Sequence, residues 1–470
     1  MGPSLEKVLL WKSPFARWFI GARCNIVQNA LDRHIEKGLG EKLALIWEGQ
    51  DGKKRKFTYS QLNEEVSRFA NVLKKLGFKK GVRVTVYLPR IPEQIISMLA
   101  SAKIGAIHSV VYCGFSVEAL RHRVRDARAK VIITTDGYQY RDKLVETKKI
   151  VDEAIKGTGS VKHIIVVKRA GNEVKMKSER DIWWHELREK VSPECQTEIM
   201  DAEDILYIFY TSGTTGKPKG VIHVHGGYMV GIYITLKWIF NIQDDDIWWC
   251  TADPGWVTGH SYITYAPFIL GLTQFFYEGP PDWPDPGKWW SLIEKYKITK
   301  FYTTPTAIRS LMRSGEKWPR KYNLSSLRIL GTVGEPIDPE AWKWYYKNIG
   351  QGRCPVMDTW WQTETGMQII SPLSSVWLKP GSVFKPFPGI KASVRDKHGK
   401  LCPPDKGGFL VLENPWPAML RTLYKNPARY KKTYWTQIPD LYFTGDAAKI
   451  DKDGYFWVEG RTDDVLKVSD

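Results

Sequence analysis

The sequence predicts an α/β fold with two α/β subdomains followed by a small β-rich subdomain. Strand-like and helix-like segments alternate up to about residue 367, and short strands with glycine and proline turns follow Pro380. The chain has 470 residues, which is more than one ordinary domain usually holds. We therefore expect subdomains at roughly 1–200, 201–379 and 380–462.

The first α/β stretch opens with a helix start, because Thr58 and Gln61 match a capping box. Apolar residues then recur at helical spacing until Gly77, a natural stop signal. The pattern next predicts strands at 82–88, 107–112 and 130–135, with helices at 92–104 and 117–129 between them. This alternation predicts a parallel sheet covered by helices. A second α/β stretch is predicted from residue 205 onward.

The net charge of +18 and the pI near 9.4 have two interpretations. A nucleic-acid-binding protein would show a steep salt dependence of binding. Alternatively, a lysine-rich surface surrounds a site for polyanionic small molecules. The basic residues are spread along the chain and match no nucleic-acid motif, so we favour the second interpretation and expect no nucleic-acid partner.

Other features of the composition indicate a cytoplasmic protein. No run of 18 apolar residues occurs, and the N-terminus lacks a signal-peptide pattern, so we expect no membrane association. The six cysteines lie far apart and form no CxxC pair, which argues against a disulfide framework and fits a reducing cytoplasm.

A glycine- and hydroxyl-rich loop at 211–220 lies between two strand candidates, 205–210 and 221–225. Its glycines let the backbone present N–H groups to an anion, and Lys217 supplies a point charge for phosphate. The spacing is not that of a Walker loop, because Pro218 stands where serine or threonine follows the lysine. A flexible surface hairpin is the alternative, and the apolar flanking strands make it less favoured.

This loop resembles the phosphate loop of the adenylate-forming superfamily, which includes acyl-CoA synthetases, luciferases and peptide-synthetase adenylation domains. Further segments match the superfamily in the same order: residues 334–336, 358–366, 442–446 and 460–461. The doubled Trp360-Trp361, with the segments at 256–262 and 281–284, is more similar to acetyl-CoA and propionyl-CoA synthetases. The resemblance spans nearly the whole chain and implies the large N-terminal domain of an AMP-forming acyl-CoA synthetase.

The resemblance implies a nucleotide site with magnesium. Asp446 would accept the ribose hydroxyls, Arg461 would offset charge at the α-phosphate, and Glu364 would be a metal ligand. The catalytic residues it implies are Lys217, Glu364 and Arg461. The ATP/AMP-binding residues it implies are Thr211, Ser212, Gly213, Thr214, Thr215, Gly216, Gly334, Glu335, Pro336, Asp358, Thr359, Trp360, Trp361, Gln362, Thr363, Asp446 and Arg461.

The implied reaction is ATP-dependent activation of a short-chain carboxylic acid to acyl-AMP, followed by thioester formation with coenzyme A. Trp361 would form the floor of the acyl pocket, with Trp256, Val257, Thr258 and Val333 as its walls. Acetate, propionate and 3-hydroxypropionate all remain open, because one methylene changes binding by only ~1–3 kcal/mol. The alternatives are a ligase for a longer or hydroxylated acid such as 4-hydroxybutyrate, a carrier-protein-loading domain, and a nucleotide-binding module with little turnover.

For coenzyme A, the matching positions are Arg141, Thr258, Asp282 and Ser469. The match is imperfect, because Tyr138 stands where the family carries another arginine, and Asp282 stands where it usually carries asparagine. Asp463 matches the family's hinge, so residues 463–470 are expected to begin a C-terminal domain that this chain lacks. We therefore expect the chain to bind nucleotide but to turn over poorly. No oligomeric state is predicted.

Two histidines, His223 and His225, alternate on one strand candidate and suggest a metal site. No acidic residue or cysteine joins them at ligand spacing, so packing is the favoured role. The paired tryptophans at 183–184, 248–249 and 289–290 are expected to fill cores.

Overall fold

The computed structural model describes residues 5–211 and 218–462. Within these residues the chain forms two large sheets of seven strands each, one four-stranded sheet and three two-stranded sheets. Helices cover the large sheets. The α/β architecture with a small β-rich subdomain is confirmed.

The first large sheet carries the predicted alternation of strands and helices. Helices Pro92–Lys103 and Val117–Ala127 connect its central parallel strands, as the sequence predicts. In spatial order its strands are Asp181–Trp183, His163–Val167, Val131–Thr135, Arg83–Tyr87, Ile107–Val110, Ile205–Thr211 and Lys219–Val224. The last two strands pair antiparallel, so this sheet is mixed and not wholly parallel.

The second large sheet presents the carboxyl ends of six parallel strands along one edge. In spatial order its strands are Val356–Asp358, Ile329–Thr332, Lys300–Thr303, Ile247–Cys250, Thr273–Glu278, Leu43–Gly49 and Lys54–Thr58. Only Lys54–Thr58 runs antiparallel to its neighbour among these strands. Open parallel sheets bind ligands at the carboxyl ends of their strands, so this edge is where a site is expected.

The two large sheets exchange strands across the predicted boundary near residue 200. Leu43–Gly49 and Lys54–Thr58 belong to the second sheet, although they precede the first sheet in the chain. Ile205–Thr211 and Lys219–Val224 belong to the first sheet, although they follow that boundary. Sheet membership depends on pairing between distant segments, which local patterns do not report. The subdivision by residue range therefore stays a prediction.

The small antiparallel sheet consists of Ala392–Arg395, Gly408–Leu412, Tyr442–Ile450 and Phe456–Arg461. It lies within the range predicted for the β-rich subdomain. Pairing of its last two strands sets Asp446 opposite Arg461. The helix Pro427–Tyr434 precedes the third strand.

The remaining elements support these sheets. The helix Tyr59–Lys75 begins at the Thr58–Gln61 capping box and ends before Gly77, whose φ is +81°, as expected. The other helical segments are Gln28–Asp32, Arg33–Glu36, Thr147–Ala154, Trp184–Arg188, His225–Ile239, Val257–Gly259, His260–Tyr265, Ala266–Ile269, Lys288–Tyr296, Pro305–Arg313, Pro319–Lys321, Pro339–Trp344 and Tyr345–Ile349. The two-stranded sheets pair Lys7–Lys12 with Phe15–Ile20, Tyr138–Tyr140 with Lys143–Val145, and Arg23–Cys24 with Met200–Asp201.

The tryptophan pairs fill cores, as expected, except that Trp183 is only half-buried. The six cysteines form no disulfide. Across residues 5–211 and 218–462, no helix is both long enough and apolar enough to cross a membrane.

Candidate active site

Two adjoining cavities open at the carboxyl ends of the second sheet's strands. The larger, of about 670 Å³, is lined by Trp256 and Trp361, and we call it the tryptophan cavity. The other, of about 590 Å³, is lined by Thr211 at the start of the glycine-rich loop, and we call it the loop cavity. Four residues line both cavities: Gly334, Glu335, Trp361 and Gln362. The two spaces therefore meet beside the Trp361 indole.

The loop cavity collects the predicted nucleotide residues that the structure describes. The strand Ile205–Thr211 and its partner Lys219–Val224 form a largely buried antiparallel hairpin. The strands that flank the loop therefore form a hairpin that does not lie free on the surface. Ser212, Gly213, Thr214, Thr215, Gly216 and Lys217 lie outside the described residues. The cavity is also lined by Gly334, Glu335, Pro336, Asp358, Thr359, Trp360, Trp361, Gln362, Glu364, Asp446 and Arg461; Thr363 lines the tryptophan cavity instead.

Asp446 is held in place by two side chains of the 358–366 segment. Its Oδ2 accepts hydrogen bonds from Trp360 Nε1 at 3.0 Å and from Gln362 Nε2 at 2.7 Å. Arg461 Nη1 lies 3.4 Å from Oδ1. Burial raises the pKa of Asp446, against the opposing effects of Arg461 and the two donors. The two shorter hydrogen bonds both use Oδ2, whereas Oδ1 accepts the longer one from Arg461 Nη1, so Oδ1 is the oxygen better placed to accept from a ligand.

Glu364 is a buried carboxylate beside a lysine. Its Oε1 accepts a hydrogen bond from Tyr434 Oη at 2.6 Å, and Lys219 Nζ lies 3.4 Å from the same oxygen. Burial alone would raise the pKa of Glu364, but the Lys219 charge and the Tyr434 hydroxyl bring it below the ordinary value. Glu364 is therefore ionised at neutral pH.

The donor set around Glu364 fits a magnesium ion that is bound together with phosphates. Among the described residues, no group of three His, Cys, Asp or Glu side chains is arranged to hold a metal. Mg²⁺ is commonly held by one or two carboxylates plus substrate phosphates, and an ionised carboxylate in the loop cavity suits that mode. Glu364 would hold the magnesium ion, and the positive charge of the ion would screen the phosphates.

Asp358 ends its strand inside the loop cavity with one oxygen satisfied. Its Oδ1 accepts a hydrogen bond from Thr332 Oγ1 at 2.7 Å, whereas Oδ2 has no hydrogen-bond partner among the described residues. Burial raises the pKa of Asp358 to about 7, although the Thr332 hydroxyl acts in the opposite direction. The side chain is therefore largely protonated below neutral pH.

We expect Asp358→Asn to become more stable relative to the wild type as pH rises from 4 to 7. Unfolded aspartate has a pKa of about 3.9, whereas the folded value here is about 7. In this window the folded wild type keeps a proton that the unfolded chain has lost, so its stability falls as pH rises. Asparagine has no such proton. Thermal midpoints of both proteins across this range measure the difference.

Asp451→Asn is the matched control for this prediction. Burial alone would raise the pKa of Asp451, but the hydrogen bond from Lys379 and other donors lower it to about 2. Asp451 is therefore ionised in both states above pH 5, and the midpoint difference between Asp451→Asn and the wild type should stay flat there. A flat difference for Asp358→Asn as well would contradict the prediction.

The tryptophan cavity brings together all the predicted acyl-pocket residues. Trp256, Val257, Thr258, Val333 and Trp361 line it. Trp361 is buried, its Nε1 donates to Tyr302 Oη at 3.3 Å, and its ring meets Tyr262 edge-on at 5.2 Å. Trp256 is half exposed and lies near the Tyr112 and Phe115 rings. Trp361 thus forms a braced wall between the tryptophan cavity and the loop cavity.

The predicted coenzyme A residues are only partly brought together. Arg141 Nη2 donates to both carboxylate oxygens of Asp282, at 2.7 and 2.9 Å. Neither residue lines the tryptophan cavity, but their neighbours Tyr140 and Pro281 do, as does Thr258. Ser469 and the hinge candidate Asp463 lie outside the described residues.

The two histidines have packing roles, and only His223 lies in a strand, because the strand ends at Val224 and His225 begins the next helix. His223 Nε2 donates to the Thr363 carbonyl at 2.7 Å, and His225 Nδ1 accepts from the Ile26 amide at 3.3 Å. Burial lowers the pKa of His223 to about 4 and that of His225 to about 3, so both rings are neutral at physiological pH.

Sequence reasoning missed Lys219 and Tyr434. Lys219 lies within the glycine-rich loop, but only its position at the start of a strand directs it toward Glu364. Tyr434 ends a helix in the β-rich subdomain, and no local signal connects it with Glu364, 70 residues earlier.

Comparisons with known proteins agree with this geometry. Residues 31–422 match the family model described as AMP-binding enzyme. The chain is 52% identical over 466 residues to the acetyl-coenzyme A synthetase of Rubrobacter xylanophilus, covering 99% of this chain and 72% of that protein. It is 52% identical to the acetyl-coenzyme A synthetase of Methanothrix thermoacetophila, with 98% and 71% covered, and 50% identical to that of Chlorobaculum tepidum, with 99% and 71% covered. From the family match and these identities, the chain belongs to the AMP-binding enzyme family.

Proposed function

We propose that this protein is an acid–thiol ligase that activates acetate with ATP and transfers the acetyl group to coenzyme A. The observation that carries the proposal is the Trp361 indole, which borders both cavities. A nucleotide in the loop cavity and a short acid in the tryptophan cavity would meet beside it. The relatives named above as acetyl-coenzyme A synthetases support acetate as the acid.

In the first half-reaction, an acetate oxygen forms a bond to the α-phosphorus and the bond to pyrophosphate breaks. A carboxylic acid with a pKa of about 4 to 5 is already ionised at neutral pH, so no general base is needed. The chain positions two anions and offsets their repulsion. Asp446 would bind the ribose, Arg461 and Lys217 would offset the charge of the phosphates, and Glu364 would hold magnesium.

In the second half-reaction, the coenzyme A sulfur bonds to the acyl carbon, AMP leaves and the thiol proton is released. Arg141, Asp282, Thr258 and Ser469 are the residues we propose for coenzyme A. The Arg141–Asp282 contact uses only Nη2, so this contact does not prevent Nε and Nη1 from donating to a phosphate.

Propionate and 3-hydroxypropionate are the secondary substrates we propose. A braced indole excludes longer chains by steric clash, but one methylene changes binding by only ~1–3 kcal/mol. Four-carbon hydroxy acids require the indole to move, which its contacts with Tyr302 and Tyr262 oppose.

ATP–pyrophosphate exchange with a panel of acids tests this function. We expect exchange with acetate, weaker exchange with propionate by about 10- to 200-fold, and none with pentanoate. Thioester formation is measured separately, with reactions lacking acid as the control. Preference for a long acid or an amino acid would indicate another type of adenylate-forming enzyme. ATP binding without exchange for any acid would indicate a nucleotide-binding module.

A further inference from the structure

Tyr434 connects the β-rich subdomain to the carboxylate assigned to magnesium. Its hydroxyl donates to Glu364 Oε1 at 2.6 Å and accepts from Lys219 Nζ at 2.9 Å. The same ammonium lies 5.2 Å from the centre of the Tyr434 ring. Three residues that are far apart in the chain thus form one closed set of contacts.

The contacts fix one oxygen of Glu364 and leave the other for a ligand. Both donors, Tyr434 and Lys219, use Oε1, so neither occupies Oε2. Glu364 lines the loop cavity, where a nucleotide's phosphates are proposed to bind. Glutamate loses rotamer freedom when it coordinates an ion, and prior restraint of the side chain removes part of that cost.

Tyr434 is itself held rigidly. Its ring is buried and stacks on Tyr442, with 5.3 Å between ring centres and 6° between ring planes. Tyr442 begins the strand Tyr442–Ile450, which also carries Asp446. The proposed ribose ligand and the residue that restrains Glu364 therefore share one rigid support.

We propose that Tyr434 is a positioning residue, whose hydroxyl orients Glu364 so that Oε2 faces the magnesium ion of bound MgATP. This inference rests on the proposed function. Lys219 completes the arrangement by donating to the tyrosine hydroxyl, which orients that hydroxyl toward Glu364.

Tyr442 provides a matched control in the same aromatic stack. Its hydroxyl is buried and has no hydrogen-bond partner among the described residues, whereas the Tyr434 hydroxyl has two. Tyr442→Phe and Tyr434→Phe each remove one buried hydroxyl and keep the stacked ring. Only Tyr434→Phe breaks the contact with Glu364.

The test is calorimetric titration of the full 470-residue chain with ATP, at graded Mg²⁺ concentrations and in EDTA. We expect Tyr434→Phe to need about tenfold more Mg²⁺ for half-maximal enhancement of ATP binding, since a hydrogen bond to a charged group is lost. Its ATP affinity in EDTA should equal that of the wild type. Tyr442→Phe should match the wild type in both conditions.

A second comparison tests whether Tyr434 acts through Glu364. In a Glu364→Gln background, Tyr434→Phe should cause no further change in the Mg²⁺ requirement. An additive effect there would overturn the inference, as would equal behaviour of Tyr434→Phe and Tyr442→Phe. A wild-type protein whose ATP binding does not respond to Mg²⁺ at all would instead contradict the proposed function.

Discussion

Replacing Trp361 by glycine is expected to shift the preferred acid from acetate to chains of about five or six carbons. The indole forms the wall between the two cavities and is fixed by Tyr302 and Tyr262. Without it, the tryptophan cavity extends into the freed space. Each methylene buried there strengthens binding by about 0.8 kcal/mol, or about fourfold, until the space is filled. In the wild type, the same methylenes clash with the Trp361 indole, whose contacts with Tyr302 and Tyr262 oppose its displacement.

Alkyl esters of AMP measure this shift without requiring turnover, because they mimic the acyl-adenylate. We expect the wild type to bind the two-carbon ester best and Trp361→Gly to bind the five- or six-carbon ester best. Trp361→Phe keeps most of the bulk and serves as the control that retains the short-chain preference. If Trp361→Gly bound the esters in the same order of affinity as the wild type, another residue would limit the chain length of the acid.

The individual elements of this fold were predictable because their signals are local. The helix at 92–104 and the strand at 82–88 follow from apolar spacing over a dozen residues or fewer. The exchange of Leu43–Gly49 and Ile205–Thr211 between the large sheets was not predictable. Both strands are largely apolar, so their local pattern does not say which sheet they join. Leu43–Gly49 pairs with Thr273–Glu278, far along the chain, and no local signal reports that pairing.

The candidate site shows the same division between local and distant information. Trp361, Gln362 and Glu364 lie in one motif, and the structure brings them to the loop cavity as expected. Lys219 and Tyr434 were missed because each contacts Glu364 from far away in the sequence. Lys219 is 145 residues from Glu364, and Tyr434 is 70 residues from it. The pKa of Asp358, raised to about 7, was also missed, because it arises from burial and not from residue type.

The second large effect is expected at Asp446, where Asp446→Asn should weaken ATP binding by about tenfold to a hundredfold. A carboxylate has about four acceptor positions, and Trp360 and Gln362 already use Oδ2. An amide has a single acceptor oxygen, so it cannot serve both these donors and the ribose hydroxyls. Losing hydrogen bonds to a charged group costs about 1.5–3 kcal/mol, which gives the stated range.

Comparing ATP with 2′,3′-dideoxy-ATP isolates the ribose contact from any change in the site itself. The wild type should bind ATP about tenfold to hundredfold more tightly than the dideoxy nucleotide. Asp446→Asn should bind the two nucleotides with nearly equal affinity. Asp451→Asn makes the same chemical change just beyond the same strand and outside both cavities, so it should keep the wild-type preference. If Asp446→Asn weakened both nucleotides equally and kept the preference for ATP, Asp446 would support the site without binding the ribose, and Oδ1 would lose the role assigned to it.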